Sequence, residues 1–116
     1  MTNPTPFTLR YALAQGLFER ADYIGAATAI AELVDEARAD DVLHGLTDLQ
    51  LLLARSYYHS AQLGRAEAVL LELIEREPTD GYAHLLLGRT LQRAGRRDDA
   101  KRPMALAGLL GTPDFD

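Results

Sequence analysis

Arg89 and Arg93 stand four residues apart in the stretch LLLGRTLQR, and Arg55 stands 34 residues before Arg89. On a helix, residues four apart share a face. Leu51, Arg55, Tyr58 and His59 fall on one stripe at spacings of four, three and one, and Leu85, Arg89, Gln92 and Arg93 repeat it. A guanidinium can grip a carboxylate through two parallel hydrogen bonds. Arginine beside tyrosine is also the composition that recognition surfaces favour. The chemistry on offer is therefore the binding of an anionic or carboxylate-bearing peptide.

Catalytic chemistry is not legible. There is no Ser nucleophile elbow, no Gly-rich phosphate loop and no cysteine. Gly88-Arg89-Thr90 lies inside a helical pattern and lacks the lysine and second glycine of a phosphate loop. His44, His59 and His84 are scattered, without metal-ligand spacing, and the adjacent Asp40 and Asp41 would point apart on a helix. The expectation is a protein that is not an enzyme and carries neither cofactor nor metal.

The elements that must hold the arginines are helical. The chain has 116 residues, 47% hydrophobic and 25% charged, which suits a single domain with a modest core. Its formal net charge of −5 argues against general nucleic-acid binding. The charge is uneven. Residues 19–48 carry eight acids against Arg20 and Arg38, and residues 81–105 carry six bases against Asp98 and Asp99. Such asymmetry suits contact between chain ends or an acidic partner, or simply solvated helix faces. No secretory leader is visible and no apolar run approaches bilayer length, so the expected location is cytoplasmic, without membrane contact.

Six helices are predicted in order. The first starts at Phe7, with apolar residues three and four apart through Leu9, Leu13 and Leu17, and breaks at Arg20-Ala21-Asp22. Asp22 can cap the second, which runs through AATAIAELVDEARAD. Thr47 or Asp48 is the expected cap of the third, LQLLLARSYYHSA. AEAVLLELIERE is the fourth, stopped by Pro78; GYAHLLLGRTLQRA is the fifth; DDAKRPMALAGLL is the sixth. Residues 1–6 are a loose lead and 113–116 a tail.

These helices pair, and the pairs repeat. Ala14, Ala54 and Gly88 align in the first helix of each pair, and Ala26, Ala66 and Ala100 in the second, always twelve residues apart. The offset is 40 at both positions between the first two pairs and 34 between the last two, so six residues are inserted after Ala26. A small residue on each helix at fixed separation marks a close crossing. Gly88 gives up helix propensity for that approach.

On these residues the chain resembles the tetratricopeptide repeat family over about residues 7–112. Leu53, Ala54, Tyr57, Ala66, Leu70 and Pro78 match its pattern in a repeat at 47–80. Leu87, Gly88, Leu91, Gly95, Ala100 and Ala107 match in 81–112, and Leu13, Ala14, Leu17, Tyr23 and Ala26 in 7–46. The resemblance implies an all-α, right-handed superhelical stack of three helix-turn-helix repeats with a concave, ligand-binding face. By resemblance that face holds Thr8, Tyr11, Gln15, Phe18 and Glu19, then Asp48, Leu51, Arg55, Tyr58 and His59, then Tyr82, Leu85, Arg89, Gln92 and Arg93. Leu53, Tyr57, Leu87 and Leu91 would be core. The clamp by which some members hold chaperone C-termini needs Lys and Asn where this chain has Tyr11 and Gln15, so that function does not carry over.

Two features depart from the family. Pro103 sits in the last helix, which must start late or bend. The chain also lacks a polar capping helix, which leaves Met104, Leu106, Leu109, Leu110 and Phe115 as a candidate interface. The function expected is an adaptor that binds a protein or peptide segment. The alternatives are a self-associating subunit, such as a homodimer formed through the last helix, and, more remotely, a peptide-sensing regulator.

Overall fold

The computed structural model describes residues 5–40 and 45–112. Phe115, His44, Asp41 and the expected tail lie outside them. The described chain is all-α: α1 (Phe7–Glu19), α2 (Tyr23–Ala39), α3 (Leu46–His59), α4 (Leu63–Arg76), α5 (Gly81–Arg93) and α6 (Arg97–Leu110). They fall into two three-helix units, residues 1–60 and 61–116. In the first, α2 packs against both α1 and α3; in the second, α5 packs against both α4 and α6.

The helix ends follow local chemistry. Asp22 Oδ1 accepts from Gly25 N at 3.0 Å, and Asp80 Oδ1 accepts from Ala83 N at 3.0 Å, each satisfying a donor that a helix start leaves unpaired. The third helix departs from expectation. It begins at Leu46 behind Gly45, whose φ is +81°, so Thr47 and Asp48 lie in its first turn and neither caps it. The left-handed glycine redirects the chain before either residue is reached. The fourth helix likewise starts earlier than expected, at Leu63. Part of the inserted length resides in α2, which has 17 residues against 14 in α4 and α6.

The repeat register survives in both packing and turns. Ala14, Ala26, Ala54 and Ala66 are fully buried, Gly88 is buried, and Ala100 is 1% exposed. Leu53, Leu87 and Leu91 are buried as expected, whereas Tyr57 is half-buried and Leu13 is 60% exposed. Leu13 lies on α1, which no described helix precedes. One left-handed residue follows each of α1, α3 and α5: Ala21 (φ +62°), Ala61 (φ +61°) and Gly95 (φ +80°). Their spacing reproduces the 40- and 34-residue offsets. After α1 and α5 the turn closes with the same bond, Asp22 N to Leu17 O and Arg96 N to Leu91 O, both 2.9 Å.

Gly88 faces α6. A β-carbon there would run into the Cγ and Sδ of Met104, so the glycine is what admits the thioether. Pro103 is buried at the seventh position of α6. The helix therefore does not wait for the proline; it starts at Arg97 and continues through it to Leu110. Three buried polar side chains are satisfied by backbone carbonyls. Ser56 Oγ donates to Leu52 O (2.8 Å) and Thr90 Oγ1 to Leu86 O (2.7 Å), while His84 Nε2 reaches Pro78 O (2.8 Å) across the α4–α5 turn.

Two stability predictions follow from this geometry. Gly88→Val should lower unfolding free energy by about 1–3 kcal/mol through overpacking. Met104→Ala in the same chain should recover part of that loss, as read by urea denaturation. Conversely, a left-handed alanine costs about 1–2 kcal/mol and glycine's freedom in the unfolded chain roughly 0.4–1. Ala21→Gly or Ala61→Gly should therefore raise the thermal midpoint by a few degrees, despite glycine's low helix propensity.

Candidate functional site

An aromatic cluster forms where α1 ends, α2 begins and α3 ends. The left-handed turn at Ala21 brings Tyr23 back onto Phe18, with ring centroids 5.2 Å apart and planes at 71°. His59, in the last turn of α3, stacks on Tyr23 at 4.7 Å and 24° and meets Phe18 edge-on at 5.8 Å. Tyr58 closes on His59 at 5.4 Å and 85°. One turn before His59, the Arg55 guanidinium carbon lies 4.6 Å from the centre of the Phe18 ring. Edge-to-face and offset rings and a cation over a π face are each favourable arrangements. Phe18, Tyr23, Arg55 and Tyr58 are half-buried and His59 is exposed, so the cluster is rigidly packed yet open to a partner.

Helical spacing grouped Arg55, Tyr58 and His59, the repeat resemblance implied Phe18 on the same surface, and the first unit brings those four together. Tyr23 was missed as a site residue. Its signal was the two-residue distance from the chain reversal, which forces it back against the end of α1. Tyr11 does not join them. Two turns earlier on α1, it borders a separate pocket together with Thr8. Its hydroxyl is pushed above the ordinary tyrosine range by burial and, secondarily, by the nearby Asp48 carboxylate. Gln15 and Glu19 are exposed on α1, Asp48 is exposed on α3, and Leu51 is half-buried.

In the second unit, Tyr82 and Leu85 are half-buried on α5, and Arg89, Gln92 and Arg93 are exposed. On α6, Met104 is half-buried against Gly88 and Leu106 is half-buried. Among the described residues of the expected interface, only Leu109, 83% exposed, and Leu110, 39% exposed, present an apolar surface. Part of the basic stretch is locally paired. Arg96 donates to Glu67 Oε1 at 2.8 Å and Asp99 Oδ2 at 3.0 Å, and Lys101 pairs with Asp98 at 3.2 Å. Among the described residues no three His, Cys, Asp or Glu side chains gather as a metal site, and no helix is long and apolar enough to cross a membrane.

No known family model matches the sequence, and no curated protein resembles it significantly.

Electrostatically, the first unit is braced by a two-pronged pair. Arg10 Nη1 donates to Glu36 Oε1 at 2.8 Å and Nη2 to Oε2, which ties α1 to α2. The guanidinium holds the Glu36 carboxyl below its ordinary range. A depressed carboxyl stabilises the fold above its unfolded pKa and loses that contribution as pH falls through the folded one. Arg10→Ala should therefore make stability less sensitive to acidification below about pH 4.5, the ordinary glutamate value. Urea titrations at neutral and acid pH should show a small, salt-screened difference, because the pair is solvent-accessible.

Proposed function

We propose that this chain is a tetratricopeptide-type repeat protein that binds a partner polypeptide on the α1–α3 surface of its first unit. The observation that carries the reading is the Arg55 guanidinium held over Phe18 inside the Phe18–Tyr23–His59–Tyr58 cluster. The rings supply a preformed apolar platform with little side-chain entropy left to lose. The guanidinium keeps its outward N–H donors for a carboxylate, so an acidic residue next to an apolar one is the preferred ligand. The family reading rests on the twin 40- and 34-residue offsets, on burial of the six small residues at those offsets and on left-handed residues recurring at the same interval. Arg89 and Arg93 add two exposed guanidiniums on α5. The role is that of an adaptor, with no bond made or broken.

Selection from a displayed random-peptide library tests this. Enriched peptides should carry Asp or Glu beside Leu, Phe or Tyr. Arg55→Ala or Phe18→Ala should weaken the best of them about tenfold, as removal of a surface anchor does, with helical circular dichroism unchanged. Equal binding by these variants, or no enrichment, overturns the reading. The exposed Leu109 and Leu110 favour self-association as a second reading. In that case light scattering should show mass rising with concentration, and Leu109→Glu should abolish the rise.

A further inference from the structure

The first unit holds a second concavity, formed by the opening turns of α1, the last turn of α2 and the start of α3. It measures about 380 Å³, and Phe7, Tyr11, Ala37 and Leu49 give it apolar walls, while Glu36 and Asp40 bring carboxylates to it. It lies two helical turns from Phe18, about 10 Å along α1 at 1.5 Å per residue. The peptide-binding reading above does not depend on it.

The charge around this pocket is not balanced. Glu36 is neutralised by the two-pronged contact with Arg10. Asp40, the residue that caps the C-terminus of α2, is exposed and forms no ion pair with any described residue. Asp48, in the first turn of α3 and one residue before the Leu49 that lines the pocket, also forms none. The C-terminal end of a helix adds partial negative charge of its own. With Arg10 and Glu36 cancelling, the described residues leave a net negative charge, while the walls are hydrocarbon and two aromatic rings.

A ligand that satisfies both must have an apolar stem and a cationic head. A guanidinium suits this better than an ammonium, because it is less strongly hydrated and stacks on aromatic faces. We propose that the pocket receives an arginine side chain of a partner polypeptide, its methylenes between Tyr11 and Leu49 and its guanidinium at Asp40 and Asp48. The sign is opposite to that of the Arg55 surface, so the two sites select different side chains.

The probe is n-butylguanidinium, with the neutral n-butylurea as its near-isosteric control. Each is titrated into ¹⁵N-labelled protein at constant ionic strength. Butylguanidinium should produce saturable shifts centred on the amides of Thr8, Tyr11, Ala37 and Leu49, and butylurea should bind about fivefold more weakly, the size of one exposed charge contact. The exposed-site variant Asp40→Asn/Asp48→Asn should reduce butylguanidinium affinity to that of butylurea while its spectrum remains dispersed. Equal affinity for the two probes, an unchanged affinity in the variant, or shifts that neither localise nor saturate would each overturn the proposal.

Discussion

Close approach of paired helices is the constraint on which the rest of this structure depends. An α-helix with short side chains at the crossing lets its neighbour's backbone come near, and everything else on the two helices is then positioned by that contact. Ala14 and Ala26 occupy such buried positions in the first unit, and Gly88 and Ala100 in the second. At Gly88 even a methyl group is excluded, because the space a β-carbon would take is filled by Met104. The helix-propensity cost of that glycine is of the order of 1 kcal/mol, modest beside the cost of forcing two packed helices apart.

The turns complete what the crossings begin. A left-handed residue after α1 reverses the chain within two residues, and the bond from Asp22 N to Leu17 O closes the reversal. A longer or looser connection would leave Tyr23 free of Phe18. Because the turn is short, the two rings meet edge to face, and the last two turns of α3 lay His59 on Tyr23 and Arg55 on Phe18. The aromatic surface is thus a consequence of three element ends converging, and its rigidity is that of the backbone beneath it. Preorganisation of this kind favours recognition, since the partner need not order the platform on binding.

Charge is distributed so that each unit settles part of its own imbalance. Arg10 with Glu36 ties α1 to α2, and Arg96 with Glu67 ties α6 to α4. These pairs leave the carboxylates of Asp40 and Asp48 near an apolar pocket and the guanidinium of Arg55 over an aromatic ring. The same short helices consequently present surfaces of opposite sign at the two ends of α1. A chain with net charge −5 can therefore offer cationic recognition locally, because the field at a surface is set by the nearest unscreened groups rather than by the total.

The sequence by itself determined the helices and the side chains that share a stripe. Local hydrogen bonding and the 3.6-residue period act within a few residues, so the order of six helices, the Asp22 cap and the alignment of Arg55, Tyr58 and His59 were all legible. The burial of Ala14, Ala54 and Gly88 was legible too, because a repeated small residue records a repeated contact. The cap of α3 was not: Gly45 adopts a left-handed conformation that turns the chain ahead of Thr47, and propensity at Thr47 cannot register it. Nor was the fate of Leu13, which matches buried Leu53 and Leu87 in pattern but stands on a helix with no described predecessor. The stacking of Tyr23 under His59 and the pocket beside Glu36 and Asp40 were decided only by tertiary structure. Each joins residues more than ten positions apart in the chain, and such contacts depend on where whole helices come to rest.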